Sequence, residues 1–238
     1  MMTSVLLFGL LMGMRHTFEA DHIAAMASLS ARNISLKHAA FQGVIWGVGH
    51  TLTLLFFGLL VITLNIQLSE QYSLWLEFIV GVMLIFLGIA VFKDIVKMKL
   101  HFHKHIHNDG TEHIHVHSHQ SEPLENHTHT HENKFPYRAL YVGIVHGLAG
   151  TSALVVLVLT SVDSKIMSFL YIGLFGVGSI IGMGLLSLTI AIPLYHSVNK
   201  FRRLHVSLLS LAGVSAILTG SFLIYHVGVN KGLLVALA

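Results

Sequence analysis

Four imidazole and carboxylate side chains lie close together inside an otherwise apolar segment near the start of the chain. They are His16, Glu19, Asp21 and His22, and Arg15 precedes them. Imidazole suits nickel, copper, zinc and cobalt, and carboxylate neutralises the charge of a cation. Ionisable residues inside apolar segments are energetically costly and usually functional. The block therefore predicts a site for a borderline divalent metal ion.

A straight helix does not bring this whole block to one ion. At about 100° per residue, Arg15, Glu19 and His22 share one stripe, whereas His16 and Asp21 lie about 140° apart. Either the helix is distorted here or other segments complete the site. Arg15 would repel a cation, so we expect it to be a counter-charge for Glu19 or Asp21. Glu19 itself fits three roles: metal ligand, partner of Arg15 or proton acceptor.

Two more histidines lie inside other apolar segments, each beside glycines that allow close helix approach. His50 lies about 12 residues into its segment and His146 about 8, at a rise of about 1.5 Å per residue. His16 and His22 reach a similar depth from the opposite side. The predicted metal site is therefore His16, Asp21, His22 and His50, extended by His146 and Glu19.

A second population of histidines occupies one polar stretch, mostly as His-x-His pairs. Neutral imidazoles in a flexible chain bind nickel, zinc or cobalt reversibly, and more weakly as pH falls. The spacing matches no fixed cage, so we interpret the stretch as a metal buffer or sensor, with a merely solvated spacer as the alternative. Its members are His101, His103, His105, His107, His113, His115, His117, His119, His127, His129 and His131.

The composition indicates where these residues are held. The chain has 238 residues, of which 54% are apolar and only 11% are Asp, Glu, Lys or Arg, against about 25% charged in soluble domains. Mean hydropathy is +0.73. These values exclude a cytosolic enzyme. The absence of cysteine excludes thiolate zinc sites, iron–sulfur clusters and disulfides, and no basic face with interleaved aromatics indicates nucleic-acid binding.

Six segments reach the length of about 20 residues that a membrane helix needs. They predict an all-α integral membrane protein with spans at about 3–29, 38–66, 73–95, 138–162, 166–195 and 205–229. The predicted organisation has a three-span unit at 1–98, a disordered His-rich loop at 99–136 and a second three-span unit at 137–238.

Positive charges predict the orientation. Eleven of the 14 Lys and Arg residues lie in the connections after spans one, three and five, whereas only Lys165 and Lys231 lie in those on the opposite side. Positive residues accumulate on the cytoplasmic side. We therefore expect a multi-pass protein of the cytoplasmic (inner) membrane, with both termini outside and the His-rich loop in the cytoplasm.

The two halves of the chain resemble each other. Residues 13–16 match 143–146 and residues 46–50 match 175–179, while Gly81 matches Gly213, at nearly constant offsets of 130, 129 and 132. A unit of three spans must repeat upside down, so the halves are predicted to be inverted repeats. Such repeats are typical of transporters that bind their substrate near the midplane.

Several of these motifs resemble the nickel/cobalt transporter family. The sequence at 15–23, Arg-His-Thr-Phe-Glu-Ala-Asp-His-Ile, resembles its His-x4-Asp-His signature, and 49–53, 143–150 and 175–183 look like its urease-accessory-type branch. The resemblance implies a nickel or cobalt permease with His16, Asp21 and His22 at the metal site and His50 as the second-span histidine. This sequence differs from the family pattern in two features. Glu19 stands where many members have Asp, and the six predicted spans are fewer than those of the classical uptake members. The His-rich loop is similar to that of the efflux branch.

Together these features favour a permease that takes up Ni²⁺ for nickel enzymes, with Co²⁺ or Zn²⁺ as alternative substrates. The lipid bilayer and a nickel metallochaperone are the expected partners. No nucleotide-binding motif is present, so the membrane potential, a proton gradient or a partner ATPase must drive transport. The alternatives are efflux, a zinc or manganese carrier, a metal sensor and a membrane metalloenzyme. A zinc protease is excluded because His131-Glu132 lacks the second histidine of His-Glu-x-x-His.

Overall fold

The computed structural model describes residues 2–31, 35–64, 69–97, 101–106, 112–117, 135–161 and 164–234. These residues are mostly helical. The α-helices are α1 (Met2–His16), α2 (Ala20–Ser30), α3 (Leu36–Leu64), α4 (Glu70–Lys97), α5 (Tyr137–Ser161), α6 (Lys165–Lys200) and α7 (Arg202–Tyr225), and a π-helical turn follows at His226–Asn230.

Among the described residues, four stretches of helix are long and apolar enough to cross a membrane. They are Leu36–Leu64 in α3, Glu70–Lys97 in α4, Lys165–Ser197 in α6 and Arg203–Asn230 in α7 and its π-helical turn. The shorter apolar stretch Leu6–His16 belongs to α1. The other two predicted spans coincide with α5 and with the pair α1 and α2.

The first predicted span is not one continuous helix, and the structure divides it at residues 17–19. The Thr17 hydroxyl donates to the Met14 carbonyl at 2.7 Å. The N–H groups of Phe18 and Glu19 donate to carbonyls only three residues earlier in the chain, and not four as in an α-helix. Glu19 is extended, with ψ 148°. Arg15 and His16 lie in the last turn of α1 and Asp21 lies in the first turn of α2, which suits both helix dipoles. The sequence left this distortion as one of two alternatives.

Glycines set the distance between α1 and α6. A Cβ on Gly13 would clash with the Phe175 carbonyl oxygen, and a Cβ on Gly178 would clash with that of Leu10. The Ser179 hydroxyl also donates to the Gly13 carbonyl at 3.3 Å. Such close backbone approach requires residues without side chains.

The same arrangement joins α3 to α5. A Cβ on Gly143 would clash with the Trp46 carbonyl oxygen, and a Cβ on Gly49 would lie 2.6 Å from the Leu140 carbonyl oxygen. These residues correspond in sequence to those of the α1–α6 contact. Gly143 and Leu140 lie 130 positions after Gly13 and Leu10. Trp46 and Gly49 lie 129 positions before Phe175 and Gly178. The α1–α6 and α3–α5 contacts therefore involve equivalent residues of the two halves.

Two further helix pairs run antiparallel. In α4 and α7, a Cβ on Gly81 would lie 2.9 Å from the Gly220 carbonyl oxygen, and one on Gly88 would lie 2.6 Å from that of Gly213. Gly47 of α3 approaches Ile180 of α6. The start of α4 therefore lies beside the end of α7.

An apolar core packs against α2. It includes fully buried Trp46, Met26, Leu84 and Met183, together with Leu29 of α2. The short helix α2 is therefore held by apolar contacts with α3, α4 and α6.

Part of the His-rich loop is paired, although the sequence predicts disorder there. Strands β1 (His101–Ile106) and β2 (Glu112–His117) form an antiparallel sheet. Its register places His101 opposite His117, His103 opposite His115 and His105 opposite His113. Alternation of histidine with other residues matches the two-residue period of a strand, whereas the expectation of disorder rested on polarity alone.

Candidate metal site

The break between α1 and α2 brings two histidines together that a straight helix would separate. His16 is the last residue of α1 and His22 lies in the first turn of α2, and their ring centroids are 4.5 Å apart. His50 of α3 lies 5.4 Å from both rings. His146 of α5 lies 4.6 Å from the His22 ring. Four imidazoles from four helices thus meet at one place.

These side chains form two overlapping groups. Within each group, the potential ligand atoms all lie within 4.8 Å of one another. One group is His16, His22 and His50, and the other is Asp21, His22 and His146. His22 belongs to both. Because a metal ion bonds imidazole nitrogen at about 2.0–2.1 Å, the ligand atoms of either group would move closer together to share one ion.

Carboxylates hold three of the four rings. The two oxygens of Asp21 lie 3.0 Å from Nδ1 of His22 and 3.3 Å from Nε2 of His146. Oε1 of Glu19 lies 2.8 Å from Nδ1 of His16. A carboxylate on one ring nitrogen orients the ring and raises the basicity of the other nitrogen, as in many metal sites.

The remaining nitrogens of the buried rings have no partner among the described residues. They are Nε2 of His22, Nδ1 of His146 and both ring nitrogens of His50. His50 is 0% exposed. An unsatisfied buried polar group costs about 1–3 kcal/mol, and several together require an explanation. A bound cation would satisfy nitrogens that carry no proton.

A cavity of about 610 Å³ adjoins the histidines. His16, His22 and His146 line it, whereas His50 lies behind its wall. The charged lining residues are Arg15, Glu19, Asp21 and Glu77. The cavity therefore reaches the edge of the ring cluster.

Two aromatic residues enclose the ring cluster. Trp46 lies 5.4 Å from His22 and 5.6 Å from His146, and Phe175 lies 5.5 Å from His16. The sequence comparison of the two halves pairs Trp46 with Phe175 but does not reveal their contact with the site. Their apolar faces exclude water, which strengthens electrostatic interactions inside.

The structure brings together all six predicted membrane residues of the site, with Glu19 at its edge and 58% exposed. One expectation about a neighbour is wrong. Arg15 forms no ion pair within the described part of the chain, because Glu19 faces His16 and Asp21 faces His22 and His146.

Glu77 of α4 is a lining residue that the sequence reasoning missed. It is an acid within an apolar span, so the rule that such residues are functional could have identified it. The predicted loop histidines divide into two sets. His101, His103, His105, His113, His115 and His117 belong to the two strands, and His107, His119, His127, His129 and His131 lie outside the described residues.

Comparison with known proteins gives three similar sequences. The chain is 33% identical over 233 residues to the urease accessory protein UreH of Bacillus sp. (strain TB-90), which covers 97% of this chain and 94% of that protein. It is 29% identical over 178 residues to the Arabidopsis thaliana chloroplast proteins FOR GROWTH AND FERTILITY 2 and 1, over 44% and 46% of their lengths. No protein-family model matches the chain. No solved structure matches it.

Proposed function

This chain belongs to the family of the urease accessory protein UreH, and from that premise we propose that it is a membrane permease for a divalent transition-metal ion. We propose Ni²⁺ as the substrate and Co²⁺ as a second one, taken up across the cytoplasmic membrane. Urease is a nickel enzyme, and the name of the relative with 33% identity refers to urease. Borderline metals of this kind favour imidazole ligands.

The observation that carries the proposal is the set of unpartnered buried imidazole nitrogens. Water would satisfy them in an exposed site, and hydrogen bonds would satisfy them in an ordinary core. Here apolar and aromatic side chains surround them instead. A cation that sheds water on entering the cavity would recover its coordination from these nitrogens.

Each residue has a specific role in this proposal. His16, His22 and His50 bind the ion, and His146 with Asp21 forms the adjoining position. Asp21 also supplies negative charge, which offsets the loss of hydration by the cation. Glu19 orients His16. The chain is proposed to carry the ion and not to act as an enzyme.

The helix arrangement supports alternating access between two inverted repeats. Equivalent residues of the two halves form the α1–α6 and α3–α5 contacts, as an approximate two-fold relation between the halves requires. The metal site lies at the break between α1 and α2, and interrupted helices are common at midplane sites of transporters. An inside-negative potential favours cation uptake by about 2.3 kcal/mol per charge per 100 mV.

We propose that the His-rich loop lies in the cytoplasm and buffers the incoming metal before a metallochaperone receives it. A loop that merely buffers metal is not part of the permeation site. Deletion of residues 101–131 should therefore change regulation or affinity and leave transport in place. Loss of all transport would instead favour a sensor or chaperone role for the loop.

Metal accumulation in cells tests the proposal. Cells that express the chain should contain more nickel than cells without it at the same external concentration. His16→Ala and Asp21→Ala should each abolish the excess, because the first removes a ligand and the second removes charge and orientation.

The matched control is His38→Ala, since His38 lies on α3 with His50 but outside the metal groups. His38→Ala should accumulate nickel normally, and immunodetection should find every variant in the membrane. Near-normal accumulation by both site variants would refute the site, whereas a lower nickel content with the chain present would show efflux. Competition by cobalt, zinc and manganese would rank the substrates.

A further inference from the structure

The cavity contains one carboxylate that lies outside the histidine cluster. Glu77 is on α4, two turns after its start, and its side chain is 31% exposed. Its Oε2 lies 3.3 Å from Nζ of Lys231, which follows the π-helical turn after α7. Neither residue belongs to the two metal groups.

The position of Glu77 shows which end of the bundle the cavity approaches. Glu77 lies near the start of α4, and Leu223 lies near the end of α7. Both line the cavity, and the antiparallel α4–α7 contact places these two ends together. The cavity therefore extends from the histidines toward this end, which the distribution of positive residues predicts to be the outer side.

The charges of the cavity favour a divalent cation. Three carboxylates (Glu19, Asp21 and Glu77) face one guanidinium, that of Arg15. Asp21 and Glu19 each contact a histidine of the cluster. Glu77 instead contacts a lysine at the end of the bundle. Lys231 is 37% exposed and can turn into solvent.

We propose that Glu77 is the outer docking carboxylate for the incoming divalent cation, and that Lys231 competes with the cation for it. The inference rests on the proposed uptake function. An arriving ion displaces the ammonium from Glu77 and then passes to the histidines. Because Glu77 attracts the ion without completing its final coordination, it governs the concentration dependence of uptake and not the capacity of the site.

Two charge-removing variants test this with opposite expected signs. Glu77→Gln should raise the half-saturating Ni²⁺ concentration for initial uptake by about three- to tenfold, since one negative charge no longer attracts the ion. Lys231→Met should lower it by about two- to fivefold, because the competing charge is gone. The measurement is the initial rate of radioactive nickel uptake at about 0.15 M ionic strength, where charges more than about 8 Å apart are largely screened, with the maximal rate determined separately.

Glu70→Gln is the matched control. Glu70 begins the same helix and is exposed, but it does not line the cavity, so its half-saturating concentration should stay within about twofold of the wild type. Glu77→Asp keeps the charge and should retain most of the affinity. It also keeps the test valid if Glu77→Gln fails to reach the membrane.

A purely structural ion pair predicts a different result. If Glu77 and Lys231 only joined α4 to the end of α7, both variants would change uptake in the same direction, and that outcome would overturn the inference. An unchanged half-saturating concentration in Glu77→Gln would overturn it too. Absence of uptake by the wild-type chain would refute the proposed function itself, so the two failures are distinguishable.

Discussion

At the scale of single residues, His50 best separates stability from function. Both of its ring nitrogens are buried and have no hydrogen-bond partner among the described residues, so the folded chain without metal gains nothing from their polarity. A core selected only for packing would favour an apolar residue at this position. Retention of an imidazole there is consistent with a ligand role, because coordination would satisfy the nitrogen.

Replacing His50 with leucine should therefore affect stability and metal binding in opposite ways. We expect His50→Leu to leave the free energy of unfolding without metal unchanged or to raise it by about 1 kcal/mol, because the unsatisfied group is removed. The thermal shift on adding Ni²⁺ should disappear, since ligands stabilise only the states that bind them. Thermal unfolding in detergent, with and without Ni²⁺, measures both effects.

His196→Leu is the control for that measurement. His196 is exposed, and its Nδ1 donates to the Ile192 carbonyl at 2.8 Å within α6. The His196→Leu variant should keep the full Ni²⁺-dependent shift in unfolding temperature. A full Ni²⁺-dependent shift in His50→Leu would show that His50 is not a ligand.

At the scale of helices, glycines decide how closely the pairs pack. The α6 glycines differ sharply in their surroundings: a Cβ on Gly178 would meet the Leu10 carbonyl oxygen, and a Cβ on Gly173 would have nothing within 4 Å. The obstacle at Gly178 is backbone, which cannot rotate away as a side chain can. Only a shift of α1 relative to α6 would relieve it.

Two glycine-to-alanine variants on α6 test this packing. Gly178→Ala should destabilise the protein by about 1–3 kcal/mol, as overpacked cores do, and should displace His16 because α1 must move. Gly173→Ala should be neutral or stabilising by up to about 1 kcal/mol, since alanine is the better helix former. Thermal unfolding in detergent and Ni²⁺ uptake should separate them, and equal effects would contradict the packing explanation.

At the scale of the whole molecule, the proposed orientation has a simple test because the chain contains no cysteine. Single cysteines can be introduced without background labelling. With six spans and both termini outside, Ser69→Cys and Ser164→Cys should react with a membrane-impermeant maleimide in intact cells. Both residues precede helices that start at the proposed outer side, α4 and α6.

Ser121→Cys, in the His-rich loop, should react only after the membrane is permeabilised. Reaction of Ser121→Cys in intact cells would reverse the proposed orientation. If Ser69→Cys and Ser164→Cys reacted from different sides, an odd number of spans would separate them and the inverted repeat would be wrong. Wild-type cells treated with the same maleimide report non-specific labelling directly, because the wild-type chain has no cysteine.

The extent of sequence-based prediction differs between elements. Helices α3 and α4 agree with the predicted spans to within a few residues, because long apolar runs between polar segments leave a membrane chain few alternatives. The division of the first span was left open, since it depends on the Thr17 side chain and on the backbone of Glu19. The strands of the loop were missed, and so was Glu77.

The sequence by itself determined the chemistry of the cluster: the residue types, their confinement to apolar segments and the repeated glycines that allow close packing. Only the tertiary structure decided that Asp21 would serve both His22 and His146, that Arg15 would stay out of that network, and that Glu77 would share the cavity. Sequence periodicity describes one helix at a time. Which faces meet is decided when glycines let particular helices approach and when a broken helix redirects its side chains.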